Sequence, residues 1–227
     1  MPEQKQGLYR YYDERAEEYD EFYSGGGPAS IRDPEAYREE VRQIAALLPD
    51  YIAGKHIDLA CGTGFWIPYY HEKCSQITLI DQSEQMLRQC SLRAERLGIS
   101  HKTLIIRGDV FAHPLLNNRY DSALIGFLNS HLNDAEENRF LKILREILRP
   151  NGRFVIIDSV WTDERGAVRS RDSLQKRHLN DGREYEIYKR YFTKKDFEDM
   201  AKEHEMNLTV VQEGRVFITA TGTFACS

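Results

Sequence analysis

The chain has no run approaching ~18 consecutive apolar residues, so no membrane-spanning helix is expected. It has no surplus of basic residues either. A net charge of −5 argues against a dedicated nucleic-acid or anionic-membrane binder, while leaving room for a local basic patch. Cysteine is scarce. Cys61, Cys74, Cys90 and Cys226 form no C-x-x-C pair and show no zinc-ligand spacing, so no metal site is expected and the thiols are read as reduced. The opening Met1-Pro2-Glu3-Gln4-Lys5-Gln6 leads into charged sequence and lacks the apolar core of a signal peptide, which makes the cytoplasm the expected location. Low complexity is confined to Ser24-Gly25-Gly26-Gly27-Pro28, which reads as a hinge.

What is present is an ordinary globular balance, 41% apolar and 30% charged, over 227 residues. That length suits one domain spanning 1–227. Residues 8–23 place Tyr12, Ala16, Tyr19 and Tyr23 at helical spacing. This stripe is either a core-packing face or a lid over a site, and with the hinge it defines a candidate lid at 1–30. A second helix is expected over 34–48, capped by Asp33 with Pro34 at its first position.

Strand and helix then alternate. Strands are expected near 55–60, over Gln76–Asp81, Thr103–Arg107, Tyr120–Phe127 and Phe154–Val160. Helices fall between them, one capped by Ser83 and closed by Gly98, another opened by Asp134 with Glu137 three residues on. Alternation of this kind implies βαβ units and a parallel sheet covered on both faces. After Val160 the rhythm breaks. Residues 162–182 read as a charged excursion, with Arg165, Arg169 and Arg171 expected at the surface. Asp181-Gly182 centres a hairpin-like turn, followed by a strand over Tyr185–Phe192. A helix capped by Thr193 and a terminal β-hairpin at 208–223 complete an α/β fold with antiparallel pairing at one edge.

In such a sheet, ligands bind beyond the carboxyl ends of the strands, at the switch in strand order. The first strand ends in Asp58-Leu59-Ala60-Cys61-Gly62-Thr63-Gly64. Its glycines allow close backbone approach, but a carboxylate beside them suits an amine better than a phosphate. The second strand ends at Asp81, placed to accept hydrogen bonds from a ribose diol. Gln82 and Met86 can pack on a base. Asp109 can accept from an exocyclic amine while the Val110 N–H donates to a ring nitrogen. The fourth strand delivers Phe127, Leu128 and His131. Three acids and no lysine around the turn favour a nucleoside with an amino-acid tail and a positive centre.

Asp-Leu-Ala-Cys-Gly-Thr-Gly, Leu-Ile-Asp-Gln-Ser, Arg-Gly-Asp-Val and Tyr-Asp-Ser-Ala-Leu-Ile-Gly-Phe resemble the ordered motifs of class I S-adenosylmethionine-dependent methyltransferases. The opening Tyr-Tyr-Asp-Glu-Arg-Ala-Glu-Glu-Tyr-Asp resembles the lid of their small-molecule members. The resemblance covers essentially the whole chain. It implies a Rossmann-like, seven-stranded, mostly parallel sheet with an antiparallel last strand, helices on both faces and an N-terminal helical lid. It further implies that Asp58, Ala60, Gly62 and Gly64 surround the methionine part of S-adenosyl-L-methionine. Phe127 and Leu128 would lie by the sulfonium, and Tyr12 and Tyr19 would close over it. The 161–192 excursion would help build the acceptor pocket.

A Pro-Pro-aromatic run typical of nucleobase and glutamine methylation is missing after the fourth strand, where Gly126-Phe127-Leu128-Asn129-Ser130-His131 stands instead. The expected partner is therefore a small-molecule acceptor, with neither nucleic acid nor membrane, in a monomer or homodimer. His131 is the candidate general base, or else a helix-entry histidine bonding backbone. Arg183, Tyr185 and Lys189 are either contacts to an acidic or phenolic acceptor or a solvated hairpin face. Two other classes compete. A nicotinamide oxidoreductase would want a third glycine where Ile67 stands. A non-catalytic binder could use the same fold.

Overall fold

The apolar runs around the glycine turn become the middle of one seven-stranded sheet in the computed structural model, which describes residues 3–112 and 120–225. Its strands are β1 (Gly54–Leu59), β2 (Cys74–Asp81), β3 (Thr103–Arg107), β4 (Tyr120–Gly126), β5 (Leu148–Ser159), β8 (Met206–Glu213) and β9 (Phe217–Phe224). The order is β3-β2-β1-β4-β5-β9-β8. β1 to β5 pair in parallel, and β9 runs antiparallel to both β5 and β8. Leu59, Leu79, Ile80, Leu124, Ile125, Ile156 and Ile157 are fully buried, as strands covered on both faces require. Strand order reverses between β1 and β4, which opens the crevice where their carboxyl ends diverge.

The covering helices are α2 (Pro34–Tyr51), α3 (Ile67–Tyr70), α4 (Glu84–Arg96), α5 (Asp134–Ile147) and α7 (Lys194–Glu203). Asp33 caps α2, Ser83 caps α4, and Thr193 with Asp196 forms a capping box on α7. The α5 capping box sits one residue earlier than expected. Asn133 accepts from the Glu136 N–H and Glu136 bonds back, which leaves Asp134 as the first helical residue. Pro49 does not stop α2, because in the last turn it forfeits only one hydrogen bond.

Three segments depart from expectation. The helix expected over 8–23 is two pieces: α1 (Glu3–Glu14), then a 3-10 turn at Tyr19–Ser24. Tyr11 and Arg15 before the break and Tyr19 and Tyr23 after it are all buried. The glycine run ends the 3-10 turn, with Gly25 at φ +82. β5 begins at Leu148 rather than Phe154, crossing Asn151 at φ +63. Finally, the charged excursion is ordered. It holds α6 (Asp163–Gly166) and β6 (Asp172–His178), and β6 pairs antiparallel with β7 (Glu184–Arg190) in a separate ribbon against α1. Arg165 is only 2% exposed, which corrects its expected surface position, whereas Arg171 is exposed and bonded to Asp196.

Candidate active site

The crevice is roofed by α1 and the 3-10 turn. Tyr9 donates to the Gln82 carbonyl, and Asp13 accepts from the Ser83 hydroxyl at 2.7 Å. Asp20 accepts from Thr63 Oγ1 and from Arg93, each at 2.6 Å. Tyr23 stacks on Phe65 at 3.6 Å between ring centroids. The N-terminal segment is thus fastened to the glycine turn and to the start of α4.

Beneath the roof lies a mostly apolar cleft. Ala60, Gly62, Asp81, Gln82, Met86, Asp109, Val110, Phe127, Leu128, Tyr12, Tyr19 and His131 all line it, which gathers most of the residues selected from the sequence. Asp58 and Gly64 stand back from it. Asp58 is 3% exposed, and burial pushes its carboxyl up to about 8, against a hydrogen bond from Tyr70. A Cβ on Gly64 would fall 2.4 Å from Ile67 Cδ1. Gly64 is therefore a close-packing glycine under the turn. Ile67, the residue at the missing third-glycine position, is what it packs against.

Asp81 is the most defined polar group in the cleft. Its Oδ2 accepts from the Gly62 N–H and its Oδ1 from the Ser83 N–H, both at 2.9 Å. Burial raises its pKa, opposed by those backbone donors. Each carboxylate oxygen keeps a lone pair for further donors. Asp109 is similar: Oδ1 holds the Phe111 N–H at 2.9 Å. Ala60 (φ +55) and Phe127 (φ +59) both occupy the left-handed region, directly after β1 and β4. Two non-glycine residues in this conformation at facing strand ends are the strain that functional crevices concentrate.

Behind Tyr12, Tyr19, Phe127 and His131 lies a second, smaller chamber, so these four residues form the wall between two cavities. The His131 Nδ1–H donates to the Tyr188 carbonyl at 2.7 Å, which fixes the tautomer. Nε2 then accepts from the Tyr12 hydroxyl, also at 2.7 Å. Burial and the Lys189 charge hold the imidazole well below its usual 6.5. His131 is a backbone-bonded helix-entry histidine, and its remaining nitrogen is taken up by Tyr12. Burial raises the Tyr12 and Tyr19 phenols well above 10, so both are neutral.

The inner chamber is lined by Arg15, Arg165, Arg177 and Lys189, none more than 7% exposed. Lys189 comes from the expected hairpin. Arg183 instead points outward, bonded to Asp181 and Glu14, and Tyr185 packs on Tyr11. The three arginines were not selected from sequence. The Asp-Gly turn hinted at Arg177 alone, since a turn implies a strand on each side and Arg177 lies on the first of them.

Residues 57–152 match the family model described as a methyltransferase domain. Over that segment the chain is similar to methyltransferase domains. The chain is 24% identical over 172 residues to an uncharacterized methyltransferase of Geobacillus kaustophilus, covering 73% of this chain and 77% of that one. Its fold matches a DhpI–SAM–HEP complex at a TM-score of 0.75 and 21% identity, over 98% and 99% of the chains. It also matches the Burkholderia thailandensis 1,6-didemethyltoxoflavin N1-methyltransferase with bound 1,6-didemethyltoxoflavin and S-adenosylhomocysteine, at 0.61 and 16%, over 96% and 87%.

Solved neighbours hold S-adenosylmethionine or S-adenosylhomocysteine, and the cleft fits such a ligand. An apolar slot at Met86, Val110 and Leu132 suits a base. Asp81 suits a diol, and the bare Gly62 backbone suits a close-lying chain. Among the described residues no three His, Cys, Asp or Glu side chains are grouped to hold a metal ion, and no helix is long and apolar enough to cross a membrane.

Proposed function

We propose that this chain moves the sulfonium methyl of S-adenosylmethionine to a small-molecule acceptor in the inner chamber, by in-line displacement. The observation that carries the reading is the shared wall: Tyr12, Tyr19, Phe127 and His131 line both the larger, mostly apolar cleft and the smaller, more polar chamber behind it.

The cofactor supplies an activated methyl, so the protein's work is alignment and exclusion of water. Asp81 holds the ribose hydroxyls. Gln82 and Met86 flank the adenine, and Asp109 and Val110 read its edge. Ala60 and Gly62 lie along the methionine chain, with Gly64 packing the turn from below. An ammonium near the turn would draw Asp58 back to its ionised form, since a nearby opposite charge lowers a buried carboxyl's pKa. Phe127 and Leu128 border the sulfur, and Tyr12 and Tyr19 close over it. The Tyr12–His131 hydrogen bond keeps the Tyr12 oxygen at the wall, with lone pairs free toward the methyl path.

Calorimetric titration tests the donor half of this reading. S-adenosylhomocysteine is expected to bind, and a nicotinamide dinucleotide is not. Binding of the dinucleotide alone would favour an oxidoreductase instead.

A further inference from the structure

The inner chamber holds charges that the fold leaves unbalanced. Asp158 pairs with Lys189 at 3.2 Å and is fully buried beneath it. For Arg15, Arg165 and Arg177, no carboxylate lies within ion-pairing distance among the described residues. Their partners are neutral. Arg165 donates to Ser30 Oγ and to the Val216 carbonyl, at 2.8 and 3.0 Å. Arg177 donates to Gln175 Oε1 and to the Lys176 carbonyl, at 2.8 and 3.2 Å. Arg15 lies over the Tyr19 ring at 4.9 Å, and its Nε and one terminal nitrogen have no hydrogen-bond partner at all; Arg165 Nε has none either. Guanidinium groups taken out of water without an anion are costly, and structures keep them where something negative arrives. A local reporter agrees. Burial by itself raises the Tyr191 phenol, yet Lys189, Arg177 and Arg165 together bring it below its ordinary value.

We propose that the inner chamber takes the ionised oxygens of a carboxylate- or phosphoryl-bearing small molecule, and that one of those oxygens is the methyl acceptor. This rests on the methyl-transfer reading above. Among the described residues no Asp or Glu lines the chamber. His131 Nε2 is already occupied by Tyr12. No carboxylate or free imidazole nitrogen among the described residues is therefore poised to strip a proton from a neutral acceptor, and four cations repel an amine. An oxyanion needs neither help. Its lone pair forms the new carbon–oxygen bond as the carbon–sulfur bond breaks, and the sulfur keeps that electron pair. The product is an ester with one negative charge fewer, so the chamber releases what it has methylated. Arg15 belongs to the roofing segment, which couples closure of the roof to the presence of the anion.

The test uses protein saturated with S-adenosylhomocysteine, titrated with methylphosphonate, propionate, propanol and propylamine. At least one anion is expected to bind, and the alcohol and amine are not; the stronger anion tells phosphoryl from carboxylate. Arg177→Gln and Arg15→Gln should each weaken that binding about tenfold or more, since each removes a charge-assisted contact. Their unchanged affinity for S-adenosylhomocysteine verifies folding. Arg38→Gln, on the outer face of α2 and paired with Glu35, should change nothing. With a deuteriomethyl donor, mass spectrometry should find the labelled methyl on the anion's oxygen. Failure of both anions to bind the loaded protein overturns the proposal, as does binding that both arginine variants leave intact. In either case the donor reading survives. Failure of S-adenosylhomocysteine itself to bind brings down both.

Discussion

Asp81→Ala is expected to weaken S-adenosylhomocysteine binding by about 10- to 100-fold, or about 1.5–3 kcal/mol, the usual size of lost hydrogen bonds to a charged group. Two effects add. The carboxylate is the acceptor for the ribose hydroxyls. It is also the clamp that joins the glycine turn to the start of α4, through the Gly62 and Ser83 N–H groups. Removing it takes away the contact and leaves the turn less organised before the ligand arrives. Asp81→Asn should fall between, because its amide keeps one accepting oxygen but turns an NH2 toward a backbone donor. Calorimetry on the folded variants is the measurement. Wild-type affinity in Asp81→Ala would remove the ribose assignment.

Gly64→Ala is expected to destabilise the fold by about 2–4 kcal/mol, adding overpacking to left-handed strain. The new methyl would meet Ile67 Cδ1 at 2.4 Å and Cys90 Sγ at 3.0 Å, on a residue already at φ +69. Gly62→Ala makes the control. Its φ is +54, but the added Cβ would meet only the Tyr19 ring, at 3.6 Å, an ordinary contact. It should lose about 1–2 kcal/mol, the left-handed cost alone. Urea denaturation of both variants compares the two. Equal losses would mean that backbone conformation, not packing against Ile67, sets the need for glycine at position 64.

These two glycines show what was legible in the sequence and what was not. A glycine turn between a buried strand and a helix is a local pattern. So are the acids at the ends of β2 and β3, Asp81 and Asp109, both of which line the crevice. Which glycine faces a ligand and which merely packs depends on Ile67 and Cys90, whose positions follow from tertiary structure. The chamber was harder still. β6 turns Gln175 and Arg177 inward and leaves Leu174 exposed, the reverse of the alternation that marks a strand. Arg165 lies in an arginine-rich run that looks like solvated surface. Arg15 lies outside the tyrosine stripe, where the two pieces of the roof meet. Polar residues facing inward carry no periodic signal, so the acceptor side of the site becomes visible only when β6, β7 and the roof are brought together.

A crystal structure with S-adenosylhomocysteine tests the central claim most directly. The account predicts the ribose hydroxyls on Asp81 and the sulfur against the wall of Tyr12, Tyr19, Phe127 and His131, facing the arginine chamber. A sulfur turned away from that wall, or a ligand seated elsewhere, would contradict it.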